Sequence, residues 1–511
     1  MTFKTSRCLT IIFSMLILLG LNACVKKKKH SDMGKILSLK YKNPVFNQMD
    51  PEEFSTVFQE MLIEKKTLMA NPKLISAYYE QQDFEPVFTL KHLPKDEIQL
   101  AEAYYLKAGE HGLDPKMFQA AEVEALLQKI ADKNSIKTKT DAYQTIAELE
   151  IVTANSLINY SNALQFGVIN PKKIYARYFT ETKRPDSLSM THVLEVADIK
   201  SFLDSIQPKS TQYLALQKAL ANGELAPGRT KEETERILKV NLERLRWKNK
   251  PTEERYVMVN IPNFGLKVMD HDSVLLSMKV CVGEGRNKAD TAKELSAYTD
   301  AEKVRDVPFS RETPQLNSEI NSVQVNPIWN IPQSIASNEI MVQAAADPYY
   351  LSNKNIDVYE KGKKIENPET INWSAESKTS GKYSFKQQSG VGNALGKIKF
   401  LFPNKSSVYL HDTPAKAAFG HSMRAVSHGC VRLERPLELA HVLFGDGSQY
   451  EQIEKDMQDS LPKARNLSLP QKVPVYITYV TCWAENGRLI FRPDVYGLDT
   501  VLYTHIQKML S

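Results

Sequence analysis

The spacing of apolar residues changes once along the chain, close to Pro251. From Asp50 to about Trp247 apolar residues recur every three or four positions, which predicts amphipathic helices that face a core. Asp50 followed by Pro51, with Glu53 three positions on, is a typical helix start. The clearest predicted helices are Asp96–Ala108, Ala142–Leu164 and Lys231–Leu245. We therefore predict an all-helical domain over residues 50–247.

After Pro251 the chain shows short runs rich in β-branched and aromatic residues, separated by turn residues, which predicts strands. The predicted strands are Arg255–Pro262, Gly265–Met269, Val274–Val282, Val323–Val325, Lys397–Phe402, Val408–His411 and Val473–Thr481. His411 falls at the end of a strand, and Cys430 falls just before a helix. The sequence predicts an α+β protein, with the helical domain followed by a mostly antiparallel β domain over residues 248–511.

Two segments interrupt the β pattern. Residues 284–312 are rich in charge and lack apolar periodicity, which predicts a surface excursion. Residues 331–389 contain a helical start followed by a polar stretch, and they predict an inserted subdomain.

The N-terminus is typical of an exported lipoprotein. Lys4 and Arg7 precede an apolar run from Leu9 to Leu21, and the run leads into Leu-Asn-Ala-Cys24. A membrane-spanning helix is the alternative, but it needs ~20 apolar residues and this run is shorter. The pattern predicts a signal peptide over 1–23, a lipid on Cys24 and a tether over 24–49. The lipid would hold the protein on the inner or the outer membrane, facing the periplasm.

Charge and cysteine content exclude some classes of protein. The formal net charge is +6, and it falls to +4 when residues 1–23 leave with two basic and no acidic residues. Such a small excess gives no argument for nucleic-acid binding. Five cysteines in 511 residues are too few for a disulfide framework. Cys281 and Cys482 lie in apolar strand patterns and are predicted to be packed thiols, with a bridge between them left open.

Two motifs contain residues that are suited to catalysis. His411 lies in the stretch Val-Tyr-Leu-His-Asp-Thr-Pro, and Cys430 follows in Ser-His-Gly-Cys-Val-Arg. Cysteine attacks as the thiolate, and an adjacent imidazole raises the thiolate fraction at neutral pH. Gly429 leaves room for a substrate carbonyl, and backbone N–H groups beside it can face an oxyanion. A buried, inert thiol is the alternative, but the polar neighbours of Cys430 suit an apolar core poorly.

These motifs resemble those of the L,D-transpeptidases with a YkuD-type catalytic domain, in their large periplasmic branch. The same order of motifs includes Asn326–Pro332, Asn393–Asn404 and Phe491–Gly497. The resemblance implies an N-terminal helical scaffold domain, a capping subdomain over 331–389 and no cofactor or metal. Many relatives carry a peptidoglycan-binding module before the catalytic domain, and the interval Tyr213–Thr230 is too short for one.

The resemblance also implies an activity and its residues. The expected reaction joins peptidoglycan stem peptides 3→3: a donor tetrapeptide acylates the cysteine, D-alanine leaves, and an acceptor amine resolves the thioester. Cys430 is the expected nucleophile and His411 its base, oriented by the main chain of Asp412. Gly429 and Cys430 are the expected oxyanion donors. The other expected site residues are Ser427, His428 and Arg432 in supporting roles and Tyr409, Trp329 and Asn326 as substrate contacts. Arg432 could instead form a structural ion pair.

Other functions remain open at this point. Water in place of the acceptor amine would give a carboxypeptidase or a cross-link-cleaving enzyme with the same residues, and attachment of a lipoprotein to the wall would use the same acyl-enzyme. Zinc held by Cys430 with His411, His421 and His428 fits no familiar spacing. A non-enzymatic wall-binding lipoprotein would not need the cysteine and histidine together. The expected partners are stem peptides, a membrane reached through the lipid, and enzymes of wall synthesis.

Overall fold

The computed structural model describes residues 32–285, 311–376, 381–459 and 462–509. The predicted signal peptide, the lipid site Cys24 and most of the charged insertion 284–312 lie outside these ranges. Within them, no helix is long and apolar enough to cross a membrane.

Helices dominate the first half of the chain, as the apolar spacing predicts. Asp50 caps its helix by accepting hydrogen bonds from the N–H groups of Glu52 and Glu53. The helices up to Arg246 are α1 Met33–Tyr41, α2 Pro51–Glu64, α3 Pro72–Glu80, α4 Val87–His92, α5 Glu97–Leu106, α6 Ala120–Ala131, α7 Lys139–Phe166, α8 Pro171–Ile174, α9 Ser187–Glu195, α10 Ile199–Ile206, α11 Thr211–Asn222 and α12 Lys231–Arg246.

The described residues fold as two compact units. The first comprises the described residues up to Ala103 together with Gln119–Ile158 and Thr191–Ser201. Its core is aromatic, with the rings of Phe58 and Tyr79 meeting edge to face at 4.9 Å between centroids.

The beginning of the first unit differs from the predicted tether over 24–49. Met33, Leu37 and Phe46 are buried in α1 and the turn that follows it. Because three apolar side chains enter a core there, the chain is packed from Met33 onward. Any tether is therefore shorter than we predicted.

The second unit contains every strand that the structure describes. It comprises Tyr104–Phe118, Asn159–Met190 and Phe202–Ser511. Its strands are β1 Arg255–Asn260, β2 Gly265–Asp270, β3 Ser273–Gly283, β4 Leu316–Val325, β5 Trp329–Ile331, β6 Ile356–Glu360, β7 Lys363–Lys364, β8 Tyr383–Gln387, β9 Ile398–Leu401, β10 Leu410–His411, β11 Ala425–Ser427, β12 Val431–Leu433, β13 Arg465–Thr478, β14 Cys482–Glu485 and β15 Arg488–Phe491.

Nine of the described strands form the main sheet, in the order β11-β3-β12-β10-β9-β4-β13-β1-β2. A further pairing of β2 with β3 closes the sheet on itself. Three pairings are parallel, namely β1 with β13, β10 with β12 and β11 with β3, and the others are antiparallel. The mostly antiparallel β domain is therefore confirmed.

The units do not divide at Trp247, where we predicted the end of the helical domain. Trp247 is 2% exposed and shares its core with the sheet residues Val257 and Val475. Arg244 of α12 also makes a buried ion pair of 2.5 Å with Asp499. Ile174 of α8 and Val240 of α12 belong to the same core. These two helices thus bury apolar side chains against the main sheet, which apolar spacing alone does not reveal.

A small subdomain follows β4, where the capping insertion is predicted. Its four-stranded sheet has the order β5-β8-β6-β7 and a separate core around Trp373 and Phe385. A helical stretch opens it, with a π-helical turn at Ala336–Ile340. The remaining helices are α13 Gln333–Ile335, α14 Met341–Ala346, α15 Tyr350–Asn353, α16 Pro436–Phe444, α17 Ser448–Gln458 and α18 Leu498–Lys508.

Candidate active site

Two short parallel strands bring the predicted nucleophile and base together. In β10 and β12, Leu410 lies opposite Val431 and His411 lies opposite Arg432. Side chains alternate along a strand, and both Leu410 and Val431 are fully buried in the core. The other face of these strands therefore carries Tyr409, His411, Cys430 and Arg432.

These four side chains line a cavity of about 350 Å³. Trp329 lines it as well, and its predicted contact with substrate stays a prediction. Pro332, Ile335 and Asn338 add a wall from the capping subdomain. The cleft is therefore built by the main sheet and the inserted subdomain together.

His411 is oriented through the main chain. The side chain is 4% exposed, and its Nδ1 donates a hydrogen bond of 2.5 Å to the carbonyl oxygen of Asp412. Because a carbonyl only accepts, Nδ1 holds the proton and Nε2 keeps the basic lone pair. Burial lowers the pKa of His411 to about 4, so the imidazole is neutral at pH 7.

The Cys430 thiol is neutral as well. Burial raises its pKa to about 11, although hydrogen bonds from Tyr409 and the charges of Arg432 and Lys399 oppose the shift. The expected gain in thiolate at neutral pH is therefore absent from this structure, because desolvation outweighs the nearby charges. A neutral thiol needs a base to take its proton when the sulfur attacks, and the neutral imidazole of His411 lies on the same face of the strands.

Tyr409, Trp329 and Cys430 line the same cavity. Burial raises the pKa of the Tyr409 hydroxyl well above its usual range, and the neighbouring Cys430 adds to the shift. The Tyr409 ring meets the His411 ring edge-on at 5.7 Å between centroids. Lys399 Nζ lies 5.4 Å from the centroid of the Tyr409 ring. Tyr409 is thus a neighbour of the Cys430 thiol in the cavity.

Ser427 shapes the turn before Cys430. Its hydroxyl donates to the Cys430 carbonyl at 2.5 Å and accepts from the Gly429 N–H at 3.1 Å. The prediction that Gly429 is an oxyanion donor needs correction, because its N–H is already used inside the turn. The Cys430 N–H has no acceptor among the described residues, and it is the backbone donor available for an oxyanion.

Gly429 is nonetheless required by the backbone. Its φ is +114°, which L side chains rarely adopt. Its carbonyl accepts a 2.8 Å hydrogen bond from the Thr313 hydroxyl, which in turn accepts from the Gly283 N–H at 2.8 Å. The Tyr496 hydroxyl donates to the Gly283 carbonyl at 2.7 Å. Hydrogen bonds therefore connect Tyr496, in the motif Phe491–Gly497, to Gly429 through Gly283 and Thr313.

His428 borders the cavity, but its ring is engaged by the capping subdomain. Its Nε2 lies 2.6 Å from Glu339 Oε1, and Glu339 also accepts from Arg311 at 2.5 Å. This contact engages His428 with the capping subdomain, which leaves His411 as the residue placed to act as base.

The remaining predicted residues divide into one that faces the cavity and two that do not. Arg432 lines the cavity and makes no ion pair with any described residue, so the structural ion-pair alternative has no support. Asn326 is 4% exposed and donates to the Asp456 carbonyl at 2.6 Å. Its predicted substrate contact is therefore wrong, since the side chain is used to pack β4 against α17. The Asp412 carboxylate accepts from the Lys397 N–H at 2.8 Å and from Lys416 at 2.6 Å.

A larger cavity of about 700 Å³ lies elsewhere in the second unit, beside Trp247, Lys250 and Tyr476. Neither Cys430 nor His411 lines it, so volume alone does not identify the reaction centre. The described residues contain no group of three or more His, Cys, Asp or Glu that could hold a metal ion.

Comparison with known proteins agrees with this geometry. The family model for the YkuD L,D-transpeptidase catalytic domain matches residues 254–444, and the model for a scaffold domain matches residues 73–220. Residues 254–444 are a YkuD-type L,D-transpeptidase catalytic domain. A Haemophilus influenzae protein named "Putative L,D-transpeptidase" is 26% identical over 328 residues, which cover 64% of this chain and 61% of that relative. The match thus spans about three-fifths of the relative's length.

Several residues near the site of this L,D-transpeptidase domain escaped the sequence analysis. Lys399 lies opposite His411 on β9. Its side chain could have been assigned to the face of the sheet that carries His411, because Lys397 and Lys399 alternate with the buried residues Ile398 and Phe400. Arg177 lines the cavity from a segment outside the matched catalytic domain. Arg311 lies in an irregular segment and Glu339 lies in the π-helical turn Ala336–Ile340. Neither residue belongs to a motif, so only the fold could place them.

Proposed function

We propose that this protein is a peptidoglycan L,D-transpeptidase that forms 3→3 cross-links through a thioester on Cys430. The observation that carries the proposal is the pairing of β10 with β12, which places His411 and Cys430 on one face of a shared cavity. His411 keeps a basic Nε2 there because Nδ1 is bound to the Asp412 carbonyl. A half-buried nucleophile with a base of fixed orientation supports acyl transfer.

In the acylation step, His411 Nε2 takes the thiol proton while Cys430 Sγ bonds to the carbonyl carbon of the third stem residue. The carbonyl oxygen becomes an oxyanion, which the Cys430 N–H can stabilise. Collapse breaks the carbon–nitrogen bond, and the imidazolium returns its proton to the amine of the leaving D-alanine. A thioester on Cys430 and a neutral His411 remain.

The second step transfers the acyl group to an acceptor. The side-chain amine of a second stem peptide attacks the thioester, His411 accepts the amine proton, and the thiolate leaves and is protonated by the imidazolium. Pro332, Ile335 and Asn338 of the capping subdomain wall the cavity. Such a wall limits the approach of water, which supports transfer over hydrolysis.

We also propose that the protein faces the periplasm as a lipoprotein. The support is the N-terminal sequence alone, with two basic residues, an apolar run and Leu-Asn-Ala-Cys24. Metabolic labelling with a palmitate analogue tests this, because Cys24→Ala should abolish the label.

Product analysis tests the enzymatic proposal. Lipid-free protein (residues 26–511) is incubated with disaccharide-tetrapeptide beside the Cys430→Ala variant. Dimers joined 3→3 and absent from the variant are the expected result. Tripeptide monomers alone would replace transfer with hydrolysis, and equal products from both proteins would remove Cys430 from the mechanism.

A further inference from the structure

The peptide group between Gly429 and Cys430 is held through its carbonyl. This oxygen accepts a hydrogen bond of 2.8 Å from the Thr313 hydroxyl. The N–H of the same group belongs to Cys430 and has no acceptor among the described residues. Because no peptide in the described part of the chain is cis, the C=O and N–H of this planar group point in opposite directions. The orientation of the carbonyl therefore also sets the direction of the Cys430 N–H.

The two neighbouring peptide groups of the turn have a different partner. The Gly429 N–H donates to the Ser427 hydroxyl at 3.1 Å, and the Cys430 carbonyl accepts from the same hydroxyl at 2.5 Å. Ser427 thus holds the peptide groups on either side of the one that carries the Cys430 N–H. Among the described residues, the side chain that holds the middle group is Thr313.

Thr313 is itself fixed, just before β4. It is 3% exposed, and its hydroxyl accepts from the Gly283 N–H at 2.8 Å while it donates to the Gly429 carbonyl. The hydroxyl therefore uses its proton and a lone pair at once. The Thr313 N–H donates to the Tyr496 hydroxyl at 3.2 Å, and Pro314 restricts the Thr313 backbone to extended conformations. The Thr313 hydroxyl thus holds the turn from a defined direction.

We infer that Thr313 is a positioning residue for the oxyanion donor. An N–H stabilises an oxyanion well only when it is already aimed at the place where the charge develops. A hydrogen bond to the carbonyl also polarises the N–H of the same peptide group, which makes that N–H a better donor. Thr313 does not line the cavity, so it acts through the peptide group and not on the substrate. This role rests on the proposed function, in which Cys430 is the nucleophile.

Two reactions of Cys430 distinguish this role from a merely structural one. Acetylation by p-nitrophenyl acetate passes through a tetrahedral oxyanion, whereas alkylation by iodoacetamide forms no oxyanion. We expect Thr313→Val, which keeps the shape but removes the hydroxyl, to slow acetylation about ten- to a hundredfold. Alkylation should stay unchanged. Both rates are measured at one pH on detergent-solubilised full-length protein, by mass spectrometry of the Cys430 peptide.

Two further variants at this position sharpen the test. Thr313→Ser keeps the hydroxyl and should restore most of the acetylation rate. Thr313→Ala is used if Thr313→Val does not fold, because it places no methyl group against the Gly283 N–H. It should show the same selective loss of acetylation.

Thr481→Val is the matched control. Thr481 is fully buried, its hydroxyl donates to Asp499 at 2.7 Å, and it does not line the cavity. Losing this hydroxyl should lower the melting temperature and leave the ratio of the two rates unchanged, because it does not touch the nucleophile turn.

An equal loss of acetylation and alkylation in the Thr313 variants would mean that the turn as a whole is displaced, and the positioning role would be excluded. Unchanged acetylation without the hydroxyl would exclude it as well. The ester contains no peptidoglycan, so both rates can be measured whether or not the wild-type enzyme forms cross-links. Failure of the positioning role can therefore be told from failure of the proposed function.

Discussion

His428 Nε2 lies 2.6 Å from Glu339 Oε1, so the capping subdomain touches the turn that presents the nucleophile. Glu339 is held in turn by Arg311, which also pairs with Glu284 at the end of β3. Since His428 precedes Gly429 and Cys430 in this turn, we expect a shift of the capping subdomain to move the Cys430 N–H. The wall of the cavity and the proposed oxyanion donor would then move together.

Removing Glu339 should slow acylation of Cys430. We expect Glu339→Ala to lower the acylation rate constant about tenfold with little change in donor affinity, because the turn loses a charge-assisted contact of about 1–2 kcal/mol. Glu339→Gln, which keeps an acceptor oxygen, should retain more activity. Stopped-flow or quenched measurement of thioester formation separates the rate constant from binding. Glu369→Ala, in the same subdomain but exposed, is the control; an equal loss there would mean that the contact with His428 has no special role.

The pKa values predict how Cys430 reacts with a small alkylating agent. Burial raises the thiol pKa to about 11 and lowers that of His411 to about 4. Alkylation by iodoacetamide follows the thiolate, so its rate should rise about tenfold for each pH unit between 7 and 10. Acylation by the donor peptide instead uses neutral His411 as base, and it should persist until the pH falls toward 4. Mass spectrometry of the Cys430 peptide measures both reactions.

His411→Asn distinguishes the two reactions. It should lower donor acylation by about 10²–10⁴-fold while leaving the rise of alkylation with pH in place. If the alkylation rate did not change between pH 6 and 8, Cys430 and His411 would already form a thiolate–imidazolium pair. The prediction that both groups are neutral at pH 7 would then be wrong.

A β-lactam should form a covalent adduct with Cys430. The strained lactam carbonyl resembles the donor carbonyl, and the resemblance to L,D-transpeptidases implies that carbapenems react in this way. We expect the intact mass of the wild-type protein to increase by one carbapenem. The mass of Cys430→Ala should not change. The same adduct on both proteins would place the reactive group elsewhere.

Local motifs predicted the reaction centre better than they predicted its surroundings. Cys430 and His411 could be placed because strand alternation and the histidine and cysteine motifs are local signals. The main-chain role of Asp412 came from the resemblance to the L,D-transpeptidases, and the structure shows the corresponding hydrogen bond. Arg177 and Glu339 could not, since their contacts join segments far apart in sequence. The prediction for Asn326 was wrong because its partner, the Asp456 carbonyl, is also distant in sequence. A motif shows that a residue is required, but it does not show whether the side chain faces the substrate or the core. Burial likewise reversed the expected effect of His411 on the Cys430 thiol.

Gly396 should prove essential for the orientation of His411. Its φ is +62°, and a Cβ there would lie 2.4 Å from Cγ of Asp412, whose carbonyl holds His411. Gly381 offers a matched control, because its φ is +63° and no described atom lies within 4 Å of an added Cβ. Gly381→Ala should cost only the left-handed backbone conformation, about 1–2 kcal/mol of unfolding free energy.

Gly396→Ala should cost a further 1–3 kcal/mol, roughly, because of the overlap with Asp412. It should also lower donor acylation at least about tenfold at temperatures where the protein stays folded, since a displaced Asp412 carbonyl no longer fixes the Nδ1 proton of His411. Thermal unfolding and thioester formation are measured on both variants. If the two substitutions lowered the melting temperature equally and left acylation intact, contact between Gly396 and Asp412 would have no part in orienting the base.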